Sequence, residues 1–311
     1  MSRHHEIPFT HDTMVYGFFD AARPPVLEVD SGDTVTLTSW PAVGPANLPP
    51  DASLVDPMLI EAFEKVEGNG PHFVTGPVHV RGAKPGDVLQ IDIMEHSFPL
   101  TWGAVTVAPL LGALPEEFTE YGTIHPRIDR QRGVMTWPWG KEQKLDPFFG
   151  VIAVAPPPAW GRCPTPPPRI FGGNMDNKEL KPGTTLYLPV FNDGALFSAG
   201  DGHGVQGDGE VCVTALETGL TGTFRLTVRK DLGYTYPFAE NATHLIGIGL
   251  DEDLDDAAKQ AVRQMVEHIC RRTDLSRTHA YMLCSLAADL RVTQVVDGVK
   301  GCHMMLAKDM L

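Results

Sequence analysis

Short runs in which apolar or β-branched residues alternate with polar ones recur through the first 240 residues, each bounded by glycine or proline. They include Asp33–Thr38, Pro77–Val80, Asp87–Ile93, Val151–Val154, Thr184–Leu188, Glu210–Leu216 and Gly222–Val228. A period of two puts alternate side chains on one face, so each run predicts a β-strand. Two similar turns, Gly82-Ala83-Lys84-Pro85-Gly86-Asp87 and Glu179-Leu180-Lys181-Pro182-Gly183-Thr184, introduce two of these runs. Proline followed by glycine suits a type II turn, whose third residue needs φ > 0. The period changes near residue 240. Leu254, Ala257, Ala261, Met265 and Ile269 recur at helical spacing, with acids crowding the start and Arg271-Arg272 at the end, which complements a helix dipole. Ser276 is placed to cap a second helix with Ala280, Leu283, Leu286, Ala287 and Leu290 on its inner side. Leu245–Ile248, Val292–Val296 and His303–Leu306 read as further strands.

The predicted fold is mainly β, a sandwich or barrel body with a smaller C-terminal α/β unit. Three segments are expected: an N-terminal β region over 1–160, a central β region over 161–240, and the α/β unit over 241–311. Proline-rich Ala155–Arg169 cannot feed a sheet ladder, so it reads as an extended crossing, either a linker or a surface loop.

Composition narrows the class. Among 311 residues, 42% are hydrophobic, enough for a packed core, and the formal charge is −14. Such an acidic surface repels phosphates, so neither nucleic acid nor an anionic membrane is an expected partner. No run of 18 apolar residues occurs, and the opening Met1–Glu6 lacks the apolar core of a secretory signal. Cys163, Cys212, Cys270, Cys284 and Cys302 are scattered and odd in number, as expected of free thiols in the cytoplasm.

The candidate chemistry is concentrated in one stretch. Glycines at 200, 202, 204, 207 and 209 interleave with Asp201, His203, Gln206, Asp208 and Glu210. Glycine lets backbone approach a bound group closely. Hard oxygen ligands plus one imidazole suit Zn²⁺ or a similar divalent ion. Gly202–Gly207 matches GxGxxG literally, but that motif must open a helix, and the residues after it look strand-like. A calcium loop competes better, although the spacing is not that of an EF-hand. A second polar turn, Phe171–Lys178, brings Asn174 and Asp176 ahead of the next strand.

These segments resemble the acetamidase/formamidase family. The similarity lies in Gly-Gly-Asn-Met-Asp at 172–176, Leu-Tyr-Leu-Pro-Val at 186–190, Gly-Ala-Leu-Phe-Ser at 194–198, Gly-Asp-Gly-His at 200–203 and Gln-Gly-Asp-Gly-Glu-Val-Cys at 206–212. Thr75–Val78, Gly82–Asp87, Ala280–Leu290 and Thr293–Gly298 extend it. Leu100–Lys144 is the stretch that matches least, and substrate preference is expected to differ there. The resemblance implies hydrolysis of formamide, acetamide or a similar short amide, a mainly-β fold with a smaller α/β part, a bound divalent metal and a homo-oligomer. By motif it carries over Asp176, Asp201, His203 and Glu210 as site residues.

Within that set, Asp176, Asp201 and His203 are expected to hold the metal, Zn²⁺ or Ca²⁺. Glu210 is expected as general base and then acid, Asn174 to orient the amide, and Gln206 to contact substrate. Glu95 and His96 are further candidates from a neighbouring strand. Trp40, Trp102, Trp137 and Trp139 read as core by default, with a pocket wall as the alternative. Two other readings compete: a Cys212 nucleophile, set against a buried structural thiol, and a calcium-dependent β-sandwich binding module.

Overall fold

The structure, a computed structural model, describes residues 2–311. Among these residues two large sheets pack face to face. The larger has nine strands in the order His4–Glu6, Asp33–Ser39, Leu220–Arg229, Val88–Ser97, Thr185–Pro189, Phe238–Glu240, His244–Asp251, Lys300–Ala307 and Ala288–Gln294. The smaller runs Gly172–Asn174, Phe148–Ala153, Phe197–His203, Phe73–Val80 and Met14–Tyr16, with Glu217–Thr218 paired to its central strand and Leu27–Val29 to Phe73–Val80. Neither sheet closes on itself, so the body is a sandwich and not a barrel.

The alternating runs explain this pairing. Asp33–Ser39 buries every second residue, and its inward Val35 and Leu37 join Leu89, Ile91, Ile93, Phe224 and Leu226 in one apolar layer. Phe149, Val151 and Phe197 of the smaller sheet close that layer, with Phe224 ringed by Phe149 at 5.5 Å and Phe197 at 5.3 Å. Phe148–Ala153 and Phe197–His203 are buried along their whole length. One face of each meets the larger sheet. The other face is covered by loops, and that covered face carries the chemistry.

Both predicted turns are left-handed at glycine, Gly86 at φ 93° and Gly183 at φ 93°. Each turn's glycine N–H donates across the strand pair it introduces, Gly86 to the Val190 carbonyl and Gly183 to that of Ile93, both at 2.9 Å. Ala155–Arg169 is an ordered surface crossing: Cys163–Pro164 pairs with Phe18–Phe19, and the Asn192 amide donates to the Ala155 and Pro156 carbonyls.

One predicted strand is absent. Glu210–Leu216 is a turn-rich loop, because Glu210 (φ 47°) and Val213 (φ 86°) are both left-handed and reverse the chain. The alternation of Val211, Cys212 and Val213 therefore marks no sheet face, and Val211 is 61% exposed.

The helix Leu254–Arg272 buries Ala257, Ala261, Met265 and Ile269 as its period requires. Asp253 caps it by accepting from the Asp255 and Asp256 N–H groups. It lies on His244–Asp251 over Gly247 and Gly249, and a β-carbon at Gly249 would fall 2.0 Å from the Ala257 carbonyl oxygen. Ser276 caps the second helix, Arg277–Ala287, at the His279 N–H. Leu286 and Leu290 do not face inward there. The helix stops at Ala287 and runs straight into the edge strand, which leaves Leu286 89% exposed and places Leu290 on that strand. The C-terminal strands extend the nine-stranded sheet, so that sheet draws on all three sequence segments. No helix among the described residues is long and apolar enough to cross a membrane.

Gly249→Ala is expected to lower stability by about 1–3 kcal/mol, since the added methyl overlaps helix backbone that can yield only by lifting off the sheet. An unchanged urea midpoint in the variant would show that the helix docks elsewhere.

Candidate active site

The site begins with three backbone irregularities, one within the smaller sheet and two in segments that leave it. Asp176, Asp201 and Glu210 all adopt left-handed backbone, at φ 47°, 60° and 47°. Non-glycine residues visit this region rarely, and such strain is found where surrounding structure fixes a side chain for use. Asp201 sits inside Phe197–His203 with His203 two residues on, so both project to the loop-covered face. Asp176 follows Gly172–Asn174, and its N–H and that of Met175 both donate to the Gly150 carbonyl. Glu217, on the short strand Glu217–Thr218, pairs directly with His203 in register.

Around His203 Nε2 these groups converge. Asp201 Oδ2 is 3.1 Å away, Glu217 Oε1 3.4 Å and Asp176 Oδ1 3.8 Å, and all four side chains are nearly inaccessible. Asp176, His203 and Glu210 form one set of mutually close donor atoms, and Asp201, His203 and Glu217 form another. Asp297 lies against Asp176 and Asn174. One side-chain oxygen each of Asn174, Asp176, Asp201, Glu210, Glu217 and Asp297 is buried without a hydrogen-bond partner. Buried polar atoms seldom go unsatisfied, so this concentration marks a place built for a bound group.

Gly150 makes room for that group. It lies on the strand beside Asp201, and a β-carbon there would sit 2.3 Å from Asp176 Oδ1 and 2.4 Å from Asp201 Oδ2. Any side chain would fill the space between the two carboxylates. A donor set of carboxylates with a single imidazole fits a divalent cation, Zn²⁺ or Ca²⁺.

The electrostatics point the same way. Burial raises the Asp176, Glu210 and Glu217 carboxyls well above the usual range, and their mutual proximity adds to it. Burial and the neighbouring acids push Asp297 to about 7. Asp201 is the exception: burial opposes its charge, but His203, His72 and a hydrogen bond with Glu217 together lower it. For His203 burial also opposes the charged form, yet Asp201 and Asp176 raise it to about 9. Five carboxylates thus crowd one imidazole, and with no cation among them most are forced to keep protons.

His203 is held by Gln206. The Gln206 Nε2 group donates to the Asp176 carbonyl at 2.9 Å, so its Oε1 faces His203 Nδ1, also at 2.9 Å. Nδ1 must then donate, which leaves Nε2 as the atom facing the carboxylates, protonated toward them without a cation and able to ligate one once that proton is displaced. Both ends of the Gln206 amide are therefore taken by protein, and its place is behind the imidazole rather than on the substrate.

Other expected residues lie elsewhere. Glu95 is exposed on the larger sheet, and His96 bonds the Pro147 carbonyl and packs on Phe149. Cys212 is half-buried in the turn, its thiol facing the Thr214 carbonyl at 3.6 Å in a groove with Trp137. Asp208 pairs with Lys178. Trp40 and Trp102 are core, while Trp137 and Trp139 stack on each other outside the acidic cavity.

Three site residues lie outside the set expected from the sequence. Glu217 follows an apolar run and comes opposite His203 only through strand register. Asp297-Gly298 reads as an ordinary turn. Its loop reaches the site because Gly209 N–H donates to Thr293, Val295 N–H donates back to Gly209, and Gln294 Oε1 accepts from Val296 and Asp297. Gly150 did carry a signal, since an isolated glycine inside a strand marks close approach.

The acids form the floor of an open cavity of about 430 Å³. A β-sandwich with a floor of carboxylates around His203 thus presents a polar cavity whose donor atoms suit a divalent cation. The Acetamidase/Formamidase family profile matches residues 158–310. An acetamidase crystal structure from Bacillus halodurans superposes with a TM-score of 0.84 at 34% identity, over 98% of this chain and 97% of that one. A recombinant predicted acetamidase/formamidase from Thermoanaerobacter tengcongensis gives 0.88 at 28% identity, over 100% and 98%. An acetamidase of Mycolicibacterium smegmatis is 27% identical over 198 residues, 45% of this chain and 49% of that protein. The chain belongs to the acetamidase/formamidase family. It spans about half the length of the curated relatives it matches.

In cation-free protein the site's contribution to stability should fall as pH rises. The unfolded chain releases the Asp297 proton near the ordinary carboxylate value while the folded chain keeps it to about 7, so rising pH favours unfolding across that window. The raised pKa of His203 contributes stability that is complete below about 6.5 and lost as pH passes about 9, which has the same sign. Below about pH 6.5 His96, His268 and His303, which burial pushes down to about 4, 3 and 4, act in the opposite direction. Thermal melts of chelator-treated protein should therefore fall from pH 7 to 9, and saturating divalent cation should flatten the decline; melts indifferent to cation would contradict the reading. Gly150→Ala should weaken cation affinity about tenfold or more with an unchanged far-ultraviolet spectrum. Calorimetric titration of that variant with Zn²⁺ or Ca²⁺ reads the difference.

Proposed function

We propose that the protein is a metal-dependent amidase, hydrolysing a carboxamide to a carboxylate and ammonia. Formamide and acetamide are the first substrates to try. The observation that carries this reading is the set of partnerless buried oxygens around His203 Nε2 at the floor of an open cavity. Family membership supports the amide as the bond attacked.

Asp176, Asp201 and His203 would hold the ion, with Glu217 completing the set at Nε2. When bound, such an ion supplies Lewis acidity, polarising a carbonyl and lowering the pKa of nearby water. The remaining work falls to side chains. Glu210 Oε2 faces the same space unpartnered, and its raised pKa suits a group that takes a proton from water and passes it to the departing nitrogen. Asn174 Oδ1, also unpartnered, is placed to accept from the carboxamide N–H₂ and so turn the carbonyl carbon toward the ion. Gln206 keeps the imidazole in one tautomer and one orientation. The thiol reading has no comparable support, because Cys212 faces a carbonyl in a separate groove.

Ammonia release from acetamide or formamide, measured with and without EDTA, tests the reading. His203→Ala should lose bound metal and activity together. Glu210→Gln should keep its metal while kcat falls by about 10²–10⁴-fold. Full turnover by metal-free protein would refute the proposal. Metal loss in Glu210→Gln would instead move that residue among the ligands.

A further inference from the structure

The cavity is much larger than the chemistry at its floor requires. A water's share of liquid volume is about 30 Å³, so acetamide would leave most of the 430 Å³ unfilled. Cavities of about 300–1,000 Å³ are the usual size for ligands far bulkier than acetamide.

Apolar residues make up much of the upper wall, with Asn47, Thr106 and Thr214 set between them. Pro71, Ala108, Leu111, Tyr121, Pro166 and Val213 surround the space above the acids, and among the described residues no lysine or arginine lines it. Leu111 and Tyr121 belong to the loop joining strands Val105–Val107 and Gly122–Ile124, in the stretch that matches the family motifs least. That loop is tied down on both sides. Ala113 N–H donates to the Val211 carbonyl beside Glu210, and the Tyr121 hydroxyl is bonded by the Asn47 amide. Leu111 is 50% and Tyr121 55% exposed, an exposure of large apolar side chains that an entering apolar group would cover.

We infer that the preferred substrate is a primary amide bearing an uncharged, apolar acyl group of five or more carbons or an aromatic ring, with the acyl group against Leu111, Tyr121 and Val213. This rests on the amidase reading above and specifies its substrate class. Wall chemistry disfavours the opposite class: an acyl group ending in a carboxylate would bury its charge against Leu111, Tyr121 and Val213 with no lysine or arginine there to receive it.

The test is kcat/KM of the metal-loaded protein on acetamide, hexanamide, phenylacetamide and succinamate, beside calorimetric binding of the same amides. In apolar pockets one methylene is worth about tenfold or more in kcat/KM, so hexanamide and phenylacetamide should exceed acetamide by about a hundredfold or more, with succinamate below acetamide. Leu111→Ala and Ala108→Phe, one removing the wall and one filling the space, should each cut the hexanamide-to-acetamide ratio about tenfold. Acetamide turned over as well as hexanamide would overturn the inference and leave the amidase reading standing. If no amide releases ammonia, the amidase reading falls, and binding decides the cavity: tighter hexanamide than acetamide supports the apolar acyl site, and equal or absent binding overturns it.

Discussion

Burying five carboxylates around one imidazole is the constraint on which the rest of this structure depends. Each ionised acid removed from water without a partner costs several kcal/mol even after relaxation. The protein meets that cost in only two ways: by keeping protons on the acids or by admitting a cation. Much of the local architecture leaves room for the second. Gly150 leaves the space open, Gln206 turns the imidazole Nε2 inward, and three acids accept left-handed backbone to aim at one point.

The frame that tolerates such a site is built from plain patterning. Alternating residues produce two sheets whose inner faces interlock through Phe149, Phe197 and Phe224, and that dry layer holds the strand bearing Asp201 and His203 rigid from behind. The helix Leu254–Arg272 secures the far half of the larger sheet, where Gly247 and Gly249 let it settle against the strand backbone. Rigidity matters because electrostatic preorganisation is worth most where the donors do not have to move.

Local rules carry the reading of the fold a long way, and they stop where non-local geometry takes over. The strands around Val35, Ile91, Leu186 and Phe224, and the helix through Ala257 and Met265, were legible because period and turn chemistry are written in consecutive residues. Glu210–Leu216 misled because Val-Cys-Val alternates without facing a sheet, and only the left-handed backbone at Glu210 and Val213 shows the reversal. The glycine-rich stretch announced Asp201, His203 and Glu210 by composition. Glu217 and Asp297 had no such signal, since one arrives by strand register and the other by a loop clamped through Gln294. Gln206 reads as a substrate contact from its neighbours in sequence, while in the structure its amide bonds His203 Nδ1 and the Asp176 carbonyl.

The clamp on that last loop has a bearing on how the protein matures. A polypeptide emerges from its N-terminal side, and domains fold largely as units during synthesis. Asp297 is delivered only after the two helices and the edge strand have been laid down, far downstream of His203. A nascent chain therefore displays Asp176, Asp201, Glu210 and Glu217 before the segment that completes the acid cluster exists. The five-acid floor is complete only once the last edge strand and its loop have been made.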